Sequence, residues 1–136
     1  MPKFERVLLI DDNESDNVFH EIMLRRAGFE QEVIVFEAAS AALVHLEANP
    51  SAAPTLIFLD INMPVMNGFE FARSAWPLLE KMPHVTIVML TSSSATRDRT
   101  QAADVAEIHG YIVKPLMSDV AKRILDGEIK RLDDDG

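Results

Sequence analysis

Five short apolar runs rich in β-branched residues punctuate the chain at residues 7–10, 33–36, 56–59, 86–90 and 111–113, each opening 23 to 30 residues after the last. Runs of this length, bounded by polar or turn-forming sequence, predict buried strands. The spacing leaves room for a loop and one helix between consecutive strands, which is a repeating βα pattern. Leu56-Ile57-Phe58-Leu59 is apolar without alternation, as expected of a strand covered on both faces. Helical patterns fill the intervals at residues 15–27, 40–47, 68–75, 95–106 and 118–132. The expected fold is therefore α/β, a five-stranded parallel, doubly wound sheet with helices on both faces.

The boundaries carry conventional punctuation. Ser15 and Ser118 read as N-caps, with Asp16 and Asp119 in the first turns, and Gly28 stands where a helix end favours positive φ. Pro50 and Pro54, and then Pro77 and Pro83, are expected to stop helices before strands three and four. The first helix shows an apolar stripe of Val18, Phe19, Ile22 and Met23, and the last one of Ala121, Ile124, Leu125 and Ile129. Phe69, Phe71 and Trp76 read as core or sheet cover. The fourth helix offers mainly Ala102, Ala103, Val105 and Ala106, so it is expected to be thinly anchored.

Composition narrows the function. At 136 residues the chain makes one domain with a real core, expected to span about residues 5–132, before an acidic tail at 133–136. Thirteen basic against 22 acidic residues give a net charge of −9, which disfavours nucleic acid and anionic membranes as partners. The absence of cysteine removes disulfides, thiolate nucleophiles and cysteine-type zinc sites. No apolar stretch is long enough for a signal peptide or a membrane span, so a cytoplasmic location is expected.

In an open α/β sheet, ligands bind beyond the carboxyl ends of the strands at the switch point. The polar residues there are Asp11 and Asp12 after strand one, Asp60 after strand three, Thr91, Ser92 and Ser93 after strand four, and Lys114-Pro115 after strand five. With strand order 2-1-3-4-5, three carboxylates converge on one crevice. At ~4 Å and an effective dielectric of ~20 each like-charge pair costs about 4 kcal/mol, so protons or a hard cation must neutralise them. Mg²⁺ suits such oxygen ligands: two carboxylates plus a backbone carbonyl near Asn62 would leave positions for water and a phosphate oxygen. Lys114 and Thr91 can then contact phosphoryl oxygens, and an aspartate can itself be the nucleophile. Such chemistry requires no general base, and His20, His45, His84 and His109 show no metal-ligand spacing and read as structural or surface residues.

At these positions the sequence resembles the receiver domain of two-component response regulators, of the single-domain chemotaxis-regulator kind. Leu8-Leu9-Ile10-Asp11-Asp12 resembles the family's acidic pair, and Leu59-Asp60-Ile61-Asn62-Met63-Pro64 with Asn67-Gly68 its phosphorylation loop. Met89-Leu90-Thr91-Ser92-Ser93 resembles its switch hydroxyl motif, and Gly110-Tyr111-Ile112-Val113-Lys114-Pro115 its lysine motif. The resemblance implies a flavodoxin-like fold. It further implies that Asp60 accepts a phosphoryl group from a histidine kinase or histidine phosphotransfer protein. Asp12 would bind Mg²⁺ directly, Asp11 through water and Asn62 by its backbone carbonyl. Thr91, with Ser92 beside it, and Lys114 would grip the phosphoryl oxygens, and Tyr111 would turn inward as Thr91 moves toward the phosphate. Asn67 stands where many members carry aspartate.

Two other readings compete. A phosphatase of the haloacid dehalogenase kind also places a nucleophilic aspartate after a strand, but needs a second carboxylate two residues on, where this chain has Asn62. A receiver-like module that binds partners without phosphorylation would not need Asp11, Asp12, Asp60, Thr91 and Lys114 together. With no DNA-binding or catalytic sequence after Leu132, output is expected through protein contacts or onward phosphorelay. The expected surface, for a target or a second copy, is the face of helix four, strand five and helix five.

Overall fold

The computed structural model describes residues 3–49, 53–82, 84–92 and 95–129. Five strands alternate with five helices: β1 (Arg6–Ile10), α1 (Glu14–Arg26), β2 (Glu32–Phe36), α2 (Ala39–Ala48), β3 (Thr55–Leu59), α3 (Gly68–Leu79), β4 (Val85–Thr91), α4 (Thr96–Ala103), β5 (Ile108–Val113) and α5 (Ser118–Leu125). All pairings are parallel and the order is β2-β1-β3-β4-β5, as the pattern predicts. β1 and β3 are buried along their whole length, whereas the edge strand β2 is half open to solvent.

Alternate side chains of the sheet feed two cores. Leu8, Ile10, Ile57, Leu59, Ile87 and Met89 pack against Ala42 and Leu46 of α2 and Phe69, Phe71 and Ala75 of α3. Val7, Leu9, Leu56, Phe58, Val88 and Leu90 face the other side, with Leu24 of α1 and Ala121 and Ile124 of α5. The sheet is thus covered on both faces, which explains the unbroken apolar run of β3.

Helix ends differ from the sequence expectations in physically readable ways. The N-cap of α1 lies two residues earlier than expected, at Asn13 and not Ser15, and the helix starts at Glu14: the Asn13 side chain accepts the Asp16 N–H at 2.9 Å. At α5, Ser118 is the first helical residue and Met117 occupies the cap position. α3 does not stop before Pro77 but continues to Leu79, because Leu78 and Leu79 pack onto the core beneath it. Proline in the last turn forfeits a single intrahelical hydrogen bond. α4 ends at Ala103, three residues short, and only Ala102 is buried in it. α5 ends at Leu125 because Gly127 adopts φ +94°, and the turned chain lays Ile129 against Gly110 of β5, where a Cβ would stand 2.9 Å from the Ile129 methyl. Gly28 follows α1 at φ +98°, as its position in the sequence suggests. Residues 130–136, Pro50, Pro83, Ser93 and Ser94 lie outside the described residues.

The apolar stripe of α1 is not its buried face. Asn17, His20, Met23 and Leu24 are buried, while Val18 and Ile22 are 55% and 45% exposed and Phe19 is also open. The helix is turned by about one residue because Asn17 Nδ2 donates to the Asp11 carbonyl at 2.8 Å, drawing a polar side chain inward. Trp76 is likewise exposed rather than core, although Phe69 and Phe71 are buried.

Candidate functional site

Register places the site. Ile10 pairs with Leu59 across β1 and β3, so Asp11 and Asp60 leave adjacent strands at the same level. The Asp60 N–H donates to the Ile10 carbonyl at 3.0 Å, and the Asp11 N–H to the Phe36 carbonyl at 3.0 Å, which carries the sheet ladder to the edge of the crevice. Thr91 closes β4 opposite Val113, and the Lys114 N–H donates to the Thr91 carbonyl at 2.8 Å. Four strands therefore deliver their last residues to one place.

Carboxylate oxygens of Asp11, Asp12 and Asp60 all lie within 4.8 Å of one another, Asp11 and Asp60 buried and Asp12 exposed. Lys114 Nζ stands 2.6 Å from Asp11 Oδ2 and 3.6 Å from Asp60 Oδ2. Asp11 Oδ1 accepts the Asn13 N–H at 2.9 Å, so both Asp11 oxygens are engaged. Asp60 Oδ1 accepts the Ile61 N–H at 2.9 Å, and the Thr91 side chain also hydrogen-bonds to the Asp60 carboxylate. Burial, reinforced by the charge of Asp11, pushes the Asp60 carboxyl above the ordinary aspartate range against the opposing pull of Lys114, Thr91 and Ile61. Burial alone would lower the Lys114 ammonium, but its bonds to Asp11 and Asp16 and the nearby Asp60 charge outweigh this and hold it above the usual lysine value.

The loop after Asp60 is tied down. The Gly68 N–H donates to the Ile61 carbonyl at 2.9 Å, and a Cβ at Gly68 would collide with the Asp60 carbonyl oxygen. Only glycine allows α3 to start this close to β3. Asn67 caps α3 in a reciprocal box: its side chain accepts the Glu70 N–H and Glu70 Oε1 accepts the Asn67 N–H, each at 2.9 Å. An asparagine is therefore well suited to this position.

The structure thus brings Asp11, Asp12, Asp60, Thr91 and Lys114 together. Asn62 lies exposed on the loop two residues past Asp60, and Ser92 is exposed just beyond β4. Tyr111 is buried in β5, with the Arg99 guanidinium 4.9 Å from its ring centroid. One contact at the site is absent from the sequence reading, and one histidine expected to be structural lies close beneath it. Asp16, taken only as a helix-capping charge, reaches Lys114 Nζ at 2.8 Å. His20 is buried beneath the acidic pocket, where desolvation and the Lys114 charge lower its pKa. No sequence signal places Asp16 against Lys114, because its reach depends on where α1 starts and how the helix is rotated.

Hard oxygen donors clustered beyond the carboxyl ends of a parallel sheet, with a lysine facing them, define a doubly wound α/β domain with an acidic crevice that could hold a hard cation. The sequence matches the model of the response regulator receiver domain over residues 7–126, and the chain belongs to that family, the receivers of two-component signalling. It is 27% identical over 128 residues to the chemotaxis protein CheY of Pseudomonas aeruginosa, covering 93% of this chain and 98% of that protein. Over 125 residues it is 30% identical to hybrid signal transduction histidine kinase B of Dictyostelium discoideum, covering 84% of this chain but only 6% of the kinase. A response regulator receiver protein from Dyadobacter fermentans superposes with a TM-score of 0.80 at 29% identity, covering 89% of this chain and 94% of that one. Among the described residues no helix is long and apolar enough to cross a membrane.

Proposed function

We propose that the chain is a phosphorylation-controlled signalling switch that accepts a phosphoryl group on Asp60 in a Mg²⁺-dependent reaction. The observation that carries this reading is the convergence of three carboxylates within 4.8 Å, with Lys114 Nζ 3.6 Å from Asp60. The donor is a histidine kinase or a histidine phosphotransfer protein. In the transfer, an Asp60 oxygen forms a bond to phosphorus as the P–N bond to the donor imidazole breaks, the electron pair leaving with that nitrogen. A carboxylate nucleophile carries no proton, so no base is needed. The residues fit a magnesium ion, which when bound would offset the negative charge of the carboxylates and of the phosphoryl oxygens.

Asp12, exposed at the pocket rim, and Asp60 would supply carboxylate ligands to such an ion, and the Asn62 backbone carbonyl a further oxygen. Asp11, held by the Asn13 N–H and Lys114, would act through water. Neutralisation there favours the ionised, nucleophilic form of Asp60 that burial disfavours. Lys114 and the Thr91 hydroxyl, with Ser92 beside it, receive the phosphoryl oxygens, and Tyr111 follows Thr91. Output is an altered protein contact or onward phosphorelay, read on the face of α4, β5 and α5 by a target protein or a second copy. Isothermal titration with beryllofluoride, a phosphoryl mimic, is expected to show one site that needs Mg²⁺ and vanishes in Asp60→Asn. Binding that persists in Asp60→Asn would contradict the assignment.

A further inference from the structure

Resting on that reading, we infer that Asp16 is a positioning residue: it holds Lys114 back from Asp60 and thereby slows phosphoryl transfer from anionic donors. Lys114 Nζ is nearest Asp11 and Asp16, at 2.6 and 2.8 Å, and stands 3.6 Å from Asp60. An ammonium has three protons to donate. Two of them are held by Asp11 and Asp16, and Asp60 at 3.6 Å is beyond hydrogen-bond reach, so moving Nζ up to a phosphoryl oxygen on Asp60 means lengthening one of those two short bonds.

Asp16 is the partner that yields. The Asp11 and Asp60 side chains are 6% and 7% exposed and are pinned by backbone N–H groups, so losing the lysine would leave a buried charge poorly compensated. The Asp16 side chain is 37% exposed and can be rehydrated on release. It is also fixed in place. The first turn of α1 is fastened to the pocket by the Asn13 N–H on Asp11 Oδ1, the Asn13 side chain on the Asp16 N–H, and Asn17 Nδ2 on the Asp11 carbonyl. Asp16 thus adds a fourth carboxylate to the rim, repelling an incoming anion and competing with it for the same ammonium.

The test compares the native chain, Asp16→Asn and Asp16→Glu with acetyl phosphate as donor, following the phosphoryl adduct by intact mass. In this step an Asp60 oxygen bonds to phosphorus while the P–O bond to acetate breaks, acetate leaving with the electron pair. Asp16→Asn is expected to label about fivefold faster at low ionic strength, the gain shrinking at high salt as the rim charge is screened. Asp16→Glu, which keeps the charge, is expected to stay near the native rate. The ¹⁵N-lysine ammonium signal of Lys114 in metal-free protein is expected to shift in Asp16→Asn, a readout independent of phosphorylation. An unmoved Lys114 signal, or equal labelling rates in chains that both label, would overturn the inference while leaving the receiver reading intact. No adduct on the native chain would overturn both.

Discussion

At the scale of single residues, two positions sit against local preference. Val65, on the loop between Asp60 and α3, is fully exposed and has φ 69°, a left-handed conformation that a β-branched side chain adopts only under strain. Asparagine tolerates that region, so Val65→Asn is expected to stabilise the fold by about 1 kcal/mol in a urea titration. A midpoint at or below the native value would show that the loop is unstrained. Asp60 is the second. Its carboxyl is raised in the folded chain, by burial first and then by Asp11, above its unfolded value near ~3.9. The folded state therefore holds this proton more tightly, and stability is lost as pH rises from the unfolded value through the folded one. In metal-free buffer Asp60→Asn should melt higher than the native chain at pH 7, with the gap closing as pH falls toward 4. A gap that widens on acidification would mean Lys114 over-compensates the burial.

At the scale of elements, the sheet was legible because each strand is a contiguous apolar run, and burial on both faces leaves no other place for such runs. Helix faces were less legible. On α1 the apolar residues Val18 and Ile22 point outward while Asn17 and His20 point inward, since a hydrogen bond to the Asp11 carbonyl orients the helix more firmly than the stripe does. Ile22→Gln is accordingly expected to change stability by less than ~0.5 kcal/mol, whereas Leu24→Ala, one face around, should cost about 3 kcal/mol. Denaturant midpoints measure both, and a large loss from Ile22→Gln would place the stripe against the core. Proline and glycine depart from sequence expectation in opposite senses: Pro77, expected to stop a helix, is carried inside α3, while Gly127, which carries no such expectation, ends α5.

At the scale of the whole molecule, strand order does the assembling. The order 2-1-3-4-5 sets the ends of β1, β3, β4 and β5 around one crevice, so residues 11, 60, 91 and 114 become neighbours although they are far apart in sequence. That convergence was readable because each residue directly follows or closes a strand. The reach of Asp16 to Lys114 was not, since it depends on where α1 starts and how it is rotated, and both are set by Asn13 and Asn17 rather than by propensity. The same convergence gathers the carboxylates of Asp11, Asp12 and Asp60 at one edge of the sheet, within 4.8 Å of one another. The most direct test is intact mass after incubation with acetyl phosphate, with and without Mg²⁺, for the native chain and Asp60→Asn. The expected result is a single phosphoryl adduct on the native chain, formed only with Mg²⁺ and absent from Asp60→Asn. An adduct that survives Asp60→Asn or forms without Mg²⁺, or no adduct where a control receiver is labelled, would contradict the account.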